Sequence, residues 1–170
     1  MTEKTVTLEF HEGVCEFCAG HFTIFSATER EWLHGHNYSV QASIATHMHE
    51  PGIAFDYAII KNKLKSICGP LDRRFLLPSQ NPYLKIEASA DYYHAIFNGE
   101  KIPFLKKDVV LLPIANTTIE ALSQWFLEQL LADLEFMDHH GITAITIRLF
   151  NGREQNAMTH WERPVVTITT

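Results

Sequence analysis

The sequence predicts an α+β domain in which helices cover one face of a sheet. Three separated stretches, residues 6–10, 38–44 and 145–149, alternate apolar with polar side chains, which is the period of a half-buried strand. Two other segments, residues 56–68 and a stretch opening near Asn116, carry apolar residues at helical spacing behind capping residues. Strands, helix, insertion, helix, strands is an order that suits one sheet layer and one helix layer around a single core.

Each element follows in turn. Val6, Leu8 and Phe10 alternate with Thr7, Glu9 and His11, and Gly13 marks a bulge or bend. The chain resumes an apolar course through Phe17, Phe22 and Phe25, and residues 26–33 read as a polar loop. Tyr38, Val40, Ala42 and Ile44 form a second strand, and Glu50-Pro51-Gly52 is a turn that joins it to a hairpin region at residues 53–55. Asp56 caps a helix with Ile59, Ile60, Leu64 and Ile67 on its buried side, ended by Gly69-Pro70. Residues 79–110, with Pro, Gly and short apolar runs, predict an inserted hairpin lobe with Tyr92, Tyr93 and Phe97 in one arm. The second helix carries the stripe Ile119, Leu122, Phe126 and Leu130, with Gly141 beyond its end. Ile145, Ile147 and Leu149 make a strand, and Val165 and Ile168 a last one.

Bulk composition narrows the function classes. A chain of 170 residues, 46% hydrophobic and 20% charged, supports one globular core rather than disorder. The net charge of -6 argues against a nucleic-acid or anionic-membrane partner. The first twelve residues lack the basic start and apolar run of a signal peptide, and no stretch reaches membrane-span length. Cys15, Cys18 and Cys68 are too few and odd for a disulfide framework, so a cytoplasmic, reduced setting is expected.

The chemistry concentrates in the histidines, of which there are ten. In His34-Gly35-His36, strand alternation points both imidazoles the same way, and Gly35 removes bulk between them. His21 ends the preceding extended segment, beside them if the two strands pair. Three neutral imidazoles around one ion leave a coordination position open, the pattern of catalytic zinc. The competing reading is unrelated surface or core histidines, because His-x-His is a short motif. His47-Met48-His49 has the same spacing but reads as a solvated turn, and His139-His140 as a helix C-terminal pair favoured by the dipole. His11, His94 and His160 show no partner in the sequence. Cys15-x-x-Cys18 is a rival ligand pair, but residues i and i+3 of a strand face opposite ways.

Phe17-Cys18-Ala19-Gly20-His21-Phe22, followed by Leu33-His34-Gly35-His36-Asn37-Tyr38, resembles the 6-pyruvoyl-tetrahydropterin synthase family, which includes 6-carboxytetrahydropterin synthase. Phe55-Asp56-Tyr57, Pro70-Leu71-Asp72 and Thr118-Ile119-Glu120 align with further landmarks, leaving only residues 79–110 uncovered. The resemblance implies the tunnelling fold: a four-stranded antiparallel sheet with two helices on one face, in subunits that assemble as homo-oligomers, as hexamers, with sites between subunits. It implies zinc on His21, His34 and His36, a pterin substrate (7,8-dihydroneopterin triphosphate), and lyase chemistry in folate or queuosine biosynthesis.

The loop before His-Gly-His, Thr28-Glu29-Arg30-Glu31-Trp32-Leu33, lacks the cysteine usual in that family. Glu31 stands three residues before His34 instead and resembles the variant branch that makes 6-hydroxymethyl-7,8-dihydropterin, which implies a general base; the bland alternative is a solvated loop charge. Asp72 matches the family's catalytic relay aspartate, but Arg73 stands where its histidine is expected, and arginine cannot exchange a proton near neutral pH. Thr118 and Glu120 are expected among the substrate-binding residues, although Thr117-x-x-Glu120 is also a capping box. Glu154 is expected to anchor the pterin, whose adjacent N–H and NH₂ donors suit a carboxylate.

Overall fold

The computed structural model describes residues 4–11, 13 and 15–164. Its elements are β1 (Lys4–Phe10), β2 (Glu16–His21), β3 (His34–Met48), α1 (Tyr57–Cys68), β4 (Arg74–Pro78), β5 (Leu84–Ala88), β6 (Tyr92–Phe97), β7 (Glu100–Leu105), β8 (Val109–Leu112), α2 (Ile119–Leu131), α3 (Leu134–His139), β9 (Ile142–Asn151) and β10 (Gln155–Glu162). The expected strand at Val165 and Ile168 lies outside the described residues.

The main sheet is seven-stranded and mixed, where four antiparallel strands were expected. Its order is β10-β9-β3-β2-β4-β8, with β1 also on β3. β3 is long enough to pair antiparallel with β2 over its first half and with β1 over its second. β4 runs parallel to β2, and β8 parallel to β4. These two strands read Arg-Phe-Leu-Leu-Pro and Val-Val-Leu-Leu, short apolar runs without alternation, so periodicity does not reveal them.

The core lies between the sheet and the helices. Val40, Ala42 and Ile44 of β3 and Ile145, Ile147 and Leu149 of β9 pack with Ile60 and Leu64 of α1 and Leu122, Phe126 and Leu130 of α2. The opposite face is polar: Glu9, Gln41, Ser43, Thr146 and Arg148 line a shallow cleft there. The Asp56 side chain accepts from the Ala58 amide at 2.9 Å and starts α1 as expected. The second helix is shorter than expected. It stops at Leu131, and Asp133 caps the separate α3 by accepting from the Phe136 amide. Thr118, not Thr117, is the cap of α2; its hydroxyl accepts from the Ala121 amide, so the capping-box reading of Thr117 fails.

Between β4 and β8 a second sheet, β5-β6-β7, packs on its own small core of Leu84, Ala95 and Phe97 with Phe22, Ile24 and Leu77. Val109 and Val110, expected inside the inserted lobe, run in the main sheet. Other expectations are also corrected. Cys15 and Cys68 are joined as a disulfide between the start of β2 and the end of α1, because helix packing brings together residues 53 apart in sequence. His47 sits half-buried in β3 opposite Thr5 rather than in a solvated turn. His160 has a partner, the Thr146 hydroxyl, at 2.9 Å. Among the described residues no helix is long and apolar enough to cross a membrane.

Candidate metal centre

Pairing of β2 with β3 sets His21 opposite His34 and Ala19 opposite His36. Alternation along β3 then puts His34 and His36 on the face that carries His21. Gly35 has a second role beyond the one expected: a Cβ there would lie 2.9 Å from the Ala19 carbonyl oxygen. Any side chain at that position would push the two ligand-bearing strands apart.

The ligand nitrogens of His21, His34 and His36 all lie within 4.8 Å of one another. The Nε2 atoms of His34 and His36 are 3.1 Å apart. Tetrahedral zinc with Zn–N of about 2.0–2.1 Å requires nitrogens roughly 3.4 Å apart, so small ring rotations suffice. His34 Nδ1 donates to the Trp32 carbonyl at 2.8 Å, which turns its Nε2 lone pair into the cluster. His21 is buried; neither ring nitrogen has a partner at good hydrogen-bond geometry, and the Thr117 backbone is its polar neighbour. An orphaned buried imidazole is costly unless something coordinates it. The donor set therefore fits a divalent metal.

Burial first, then the neighbouring His34 and His36, lowers the His21 pKa to about 4. Burial, followed by His34, also lowers that of His36. Both rings thus stay neutral at physiological pH, the state a metal requires. The same shift has a stability consequence in metal-free protein. Between pH 6.5 and about 4 the unfolded chain takes up a proton that folded His21 refuses, so stability falls as pH falls. The loss from this residue is about 3 kcal/mol across that window. Urea unfolding of chelated protein at pH 7 and pH 4.5 measures it. A His21→Asn variant should show a shallower pH slope, and an unchanged slope refutes the assignment.

Glu31 lies beside this cluster. Its Oε2 is 3.9 Å from His34 Nε2 and accepts from the Thr23 amide at 2.9 Å. The Glu31 amide in turn donates to the Thr23 carbonyl at 2.8 Å. Burial pushes the Glu31 carboxyl up, but the Thr23 hydrogen bonds, with a smaller electrostatic pull from the neighbouring histidines, outweigh it and hold it below its ordinary value. Tyr38 closes the inner side of the site, with its ring stacked on Phe17 and edge-on to His36. Burial pushes its hydroxyl up, so it stays protonated.

The other expected site residues lie elsewhere. The Asp72 carboxylate accepts from the Cys18 amide at 3.0 Å and from Arg73 Nε at 3.1 Å. The Cys18 hydrogen bond is the main reason its carboxyl sits low. Asp72 lines a separate cleft of about 590 Å³ with Cys18, Asn37 and Arg153. Thr118 caps α2, and Glu120 is exposed in its first turn. Glu154 is exposed in the β9–β10 turn.

Sequence reading missed the residues that hold the site in place. Thr23 clamps Glu31. The Asn116 side chain bonds both the amide and the carbonyl of Ile24, and the Thr117 hydroxyl donates to the Phe22 carbonyl. The Asn116 and Thr117 contacts span more than ninety residues, and no local pattern signals them.

The chain is similar to known proteins over most of its length. The family model for 6-pyruvoyl tetrahydropterin synthase matches residues 13–163. A Methanocaldococcus jannaschii protein named "Putative 6-carboxy-5,6,7,8-tetrahydropterin synthase" is 27% identical over 126 residues, covering 74% of this chain and 77% of its own. The crystal structure of 6-pyruvoyl tetrahydropterin synthase from Plasmodium vivax superposes with a TM-score of 0.88 at 27% identity, over 95% of this chain and 100% of that one. A variant of the P. vivax protein, described as a catalytic-residue mutant with glutamate changed to alanine, superposes at 0.89 with 26% identity and the same coverage. With the family model spanning both histidine-bearing strands and both long helices, this chain belongs to the 6-pyruvoyl tetrahydropterin synthase family.

Proposed function

We propose that the protein is a zinc-dependent lyase that cleaves the side chain of 7,8-dihydroneopterin triphosphate to give 6-hydroxymethyl-7,8-dihydropterin, with Glu31 as general base. The observation that carries this reading is the Glu31 carboxylate 3.9 Å from His34 Nε2, in a loop that contains no cysteine. The P. vivax relative, whose catalytic glutamate is named in its description, supports a glutamate in this role.

His21, His34 and His36 would hold the zinc, which when bound supplies a Lewis acid that acidifies the side-chain hydroxyls. Glu31, kept ionised by the Thr23 hydrogen bonds, takes the proton from the second side-chain hydroxyl. The bond between the first and second side-chain carbons breaks, and the second carbon leaves as an aldehyde bearing the triphosphate. The protonated Glu31 returns its proton to the first carbon, which completes a retro-aldol cleavage. Glu31 moves the proton in this step, and Asp72, held by Cys18 and Arg73 beside the neighbouring cleft, remains the proposed second catalytic residue.

Glu154, with Thr118 and Glu120, remains the proposed pterin-binding set. Thr118 follows Thr117, whose hydroxyl donates to the Phe22 carbonyl beside His21, whereas Glu120 and Glu154 are exposed and would serve a site shared with a neighbouring subunit. Their exposure, and that of Phe25, Trp32 and Leu33 around the site, support a homo-oligomer with shared sites. Light scattering should give a multiple of the chain mass, and a monomer removes this part of the proposal.

The archaeal relative's name favours a second reading, synthesis of a 6-carboxy- or 6-pyruvoyl-tetrahydropterin. Incubation of zinc-loaded protein with 7,8-dihydroneopterin triphosphate, followed by identification of the pterin, separates the two. A 6-carboxy or 6-pyruvoyl product overturns the first reading. Saturable binding without any product would make the protein a non-catalytic pterin binder.

A further inference from the structure

Arg30 is adjacent to the proposed base and makes contacts in three directions. Its Nη1 donates to the Glu31 carbonyl at 2.8 Å. Its guanidinium lies over the Phe22 ring at 5.3 Å and the Phe97 ring at 5.8 Å. Its Nη2 is 3.6 Å from Glu100 Oε2. Phe22 follows the metal-cluster residue His21, whereas Phe97 and Glu100 flank the β6–β7 turn of the second sheet. The Arg30 side chain is only 13% exposed, so this is an inserted cation and not a solvated surface charge.

The contacts differ in weight. Glu100 is 72% exposed, and an ion pair with so open a partner contributes little. The aromatic contacts and the carbonyl hydrogen bond are shielded and directional, and they carry the interaction. Phe97 is itself buried in the small core with Phe22 and Ile24, so the second sheet has a firm grip on the guanidinium. Glu31 is thereby held from two sides: Thr23 binds its amide and carboxylate, and Arg30 binds its carbonyl.

We propose that Arg30 is a positioning residue that ties the β5-β6-β7 sheet to the backbone of Glu31 and so sets where the base stands relative to the metal cluster. The proposal rests on the reading of Glu31 as base. It assigns a task to the second sheet, which supplies no residue to the cluster. A planar fork is needed to face two rings and a carbonyl at once, and a lysine ammonium lacks that shape. Small displacements of a base are expensive in rate: about 1 Å can cost on the order of a hundredfold.

The test compares wild type with Arg30→Met, which keeps an apolar stem, and Arg30→Lys, which keeps the charge. Amide hydrogen exchange at Thr23 and Glu31 in zinc-loaded protein reads the clamp directly. Both variants should exchange at least roughly tenfold faster at these two amides, while bound zinc stays at the wild-type level. With 7,8-dihydroneopterin triphosphate, kcat should fall roughly tenfold or more with KM within about twofold, as for a displaced base. If Arg30→Met fails to fold, Arg30→Lys carries the same test. Wild-type exchange in the variants overturns the proposal, and so does faster exchange with unchanged kcat. If wild type itself turns over none of this substrate, the reaction proposed above fails, while the exchange rates still decide whether Arg30 holds Glu31.

Discussion

Glu31→Gln should abolish turnover while leaving the metal bound. General bases contribute roughly 10²–10⁴ in rate, and the loss in kcat should fall in that range. Glutamine matches glutamate in shape, and its amide oxygen can still accept from the Thr23 amide. The loop therefore keeps its path between Thr23 and His34, and only the capacity to take a proton disappears. Zinc content is the internal control, because Glu31 is outside the three-histidine group. Activity within about twofold of wild type would show that some other group moves the proton.

The second large effect is expected on metal removal. Chelation should silence the protein without unfolding it. The three histidines lie at one end of the sheet, with His34 and His36 only partly buried. The core beneath them, from Phe17 and Tyr38 through Ile60, Leu64 and Phe126, closes without any metal. Far-UV circular dichroism should be unchanged at 25 °C, and zinc should restore activity. Some thermal stability should go with the metal, about 3–4 kcal/mol if free zinc stands at 100 to 1,000 times its dissociation constant. Loss of the folded signal on chelation would instead make the site structural.

How far the sequence could be read depended on the range of the interactions. The α1 helix was legible from Asp56 to Cys68 because its cap and its stripe act within a few residues. The pair His34 and His36 was legible for the same reason, since alternation on one strand orients both rings. The break between α2 and α3 was not, because Asp133 is a cap whose partner Lys63 lies on α1. Strands β4 and β8 were hidden because their runs at residues 75–78 and 109–112 are apolar at every position and carry no alternation.

Local spacing thus established the first helix, the alternating strands and the two β3 histidines, together with the absence of a cysteine from the loop before them. Those features depend on backbone periods and covalent neighbours, which are present in the chain before it folds. The place of His21 opposite His34, the hold of Thr23 and Arg30 on Glu31, and the capture of Asp72 by Cys18 came from strand register and loop packing. Register is a property of the whole sheet, because one face must be buried at once along every strand, and no single segment encodes it.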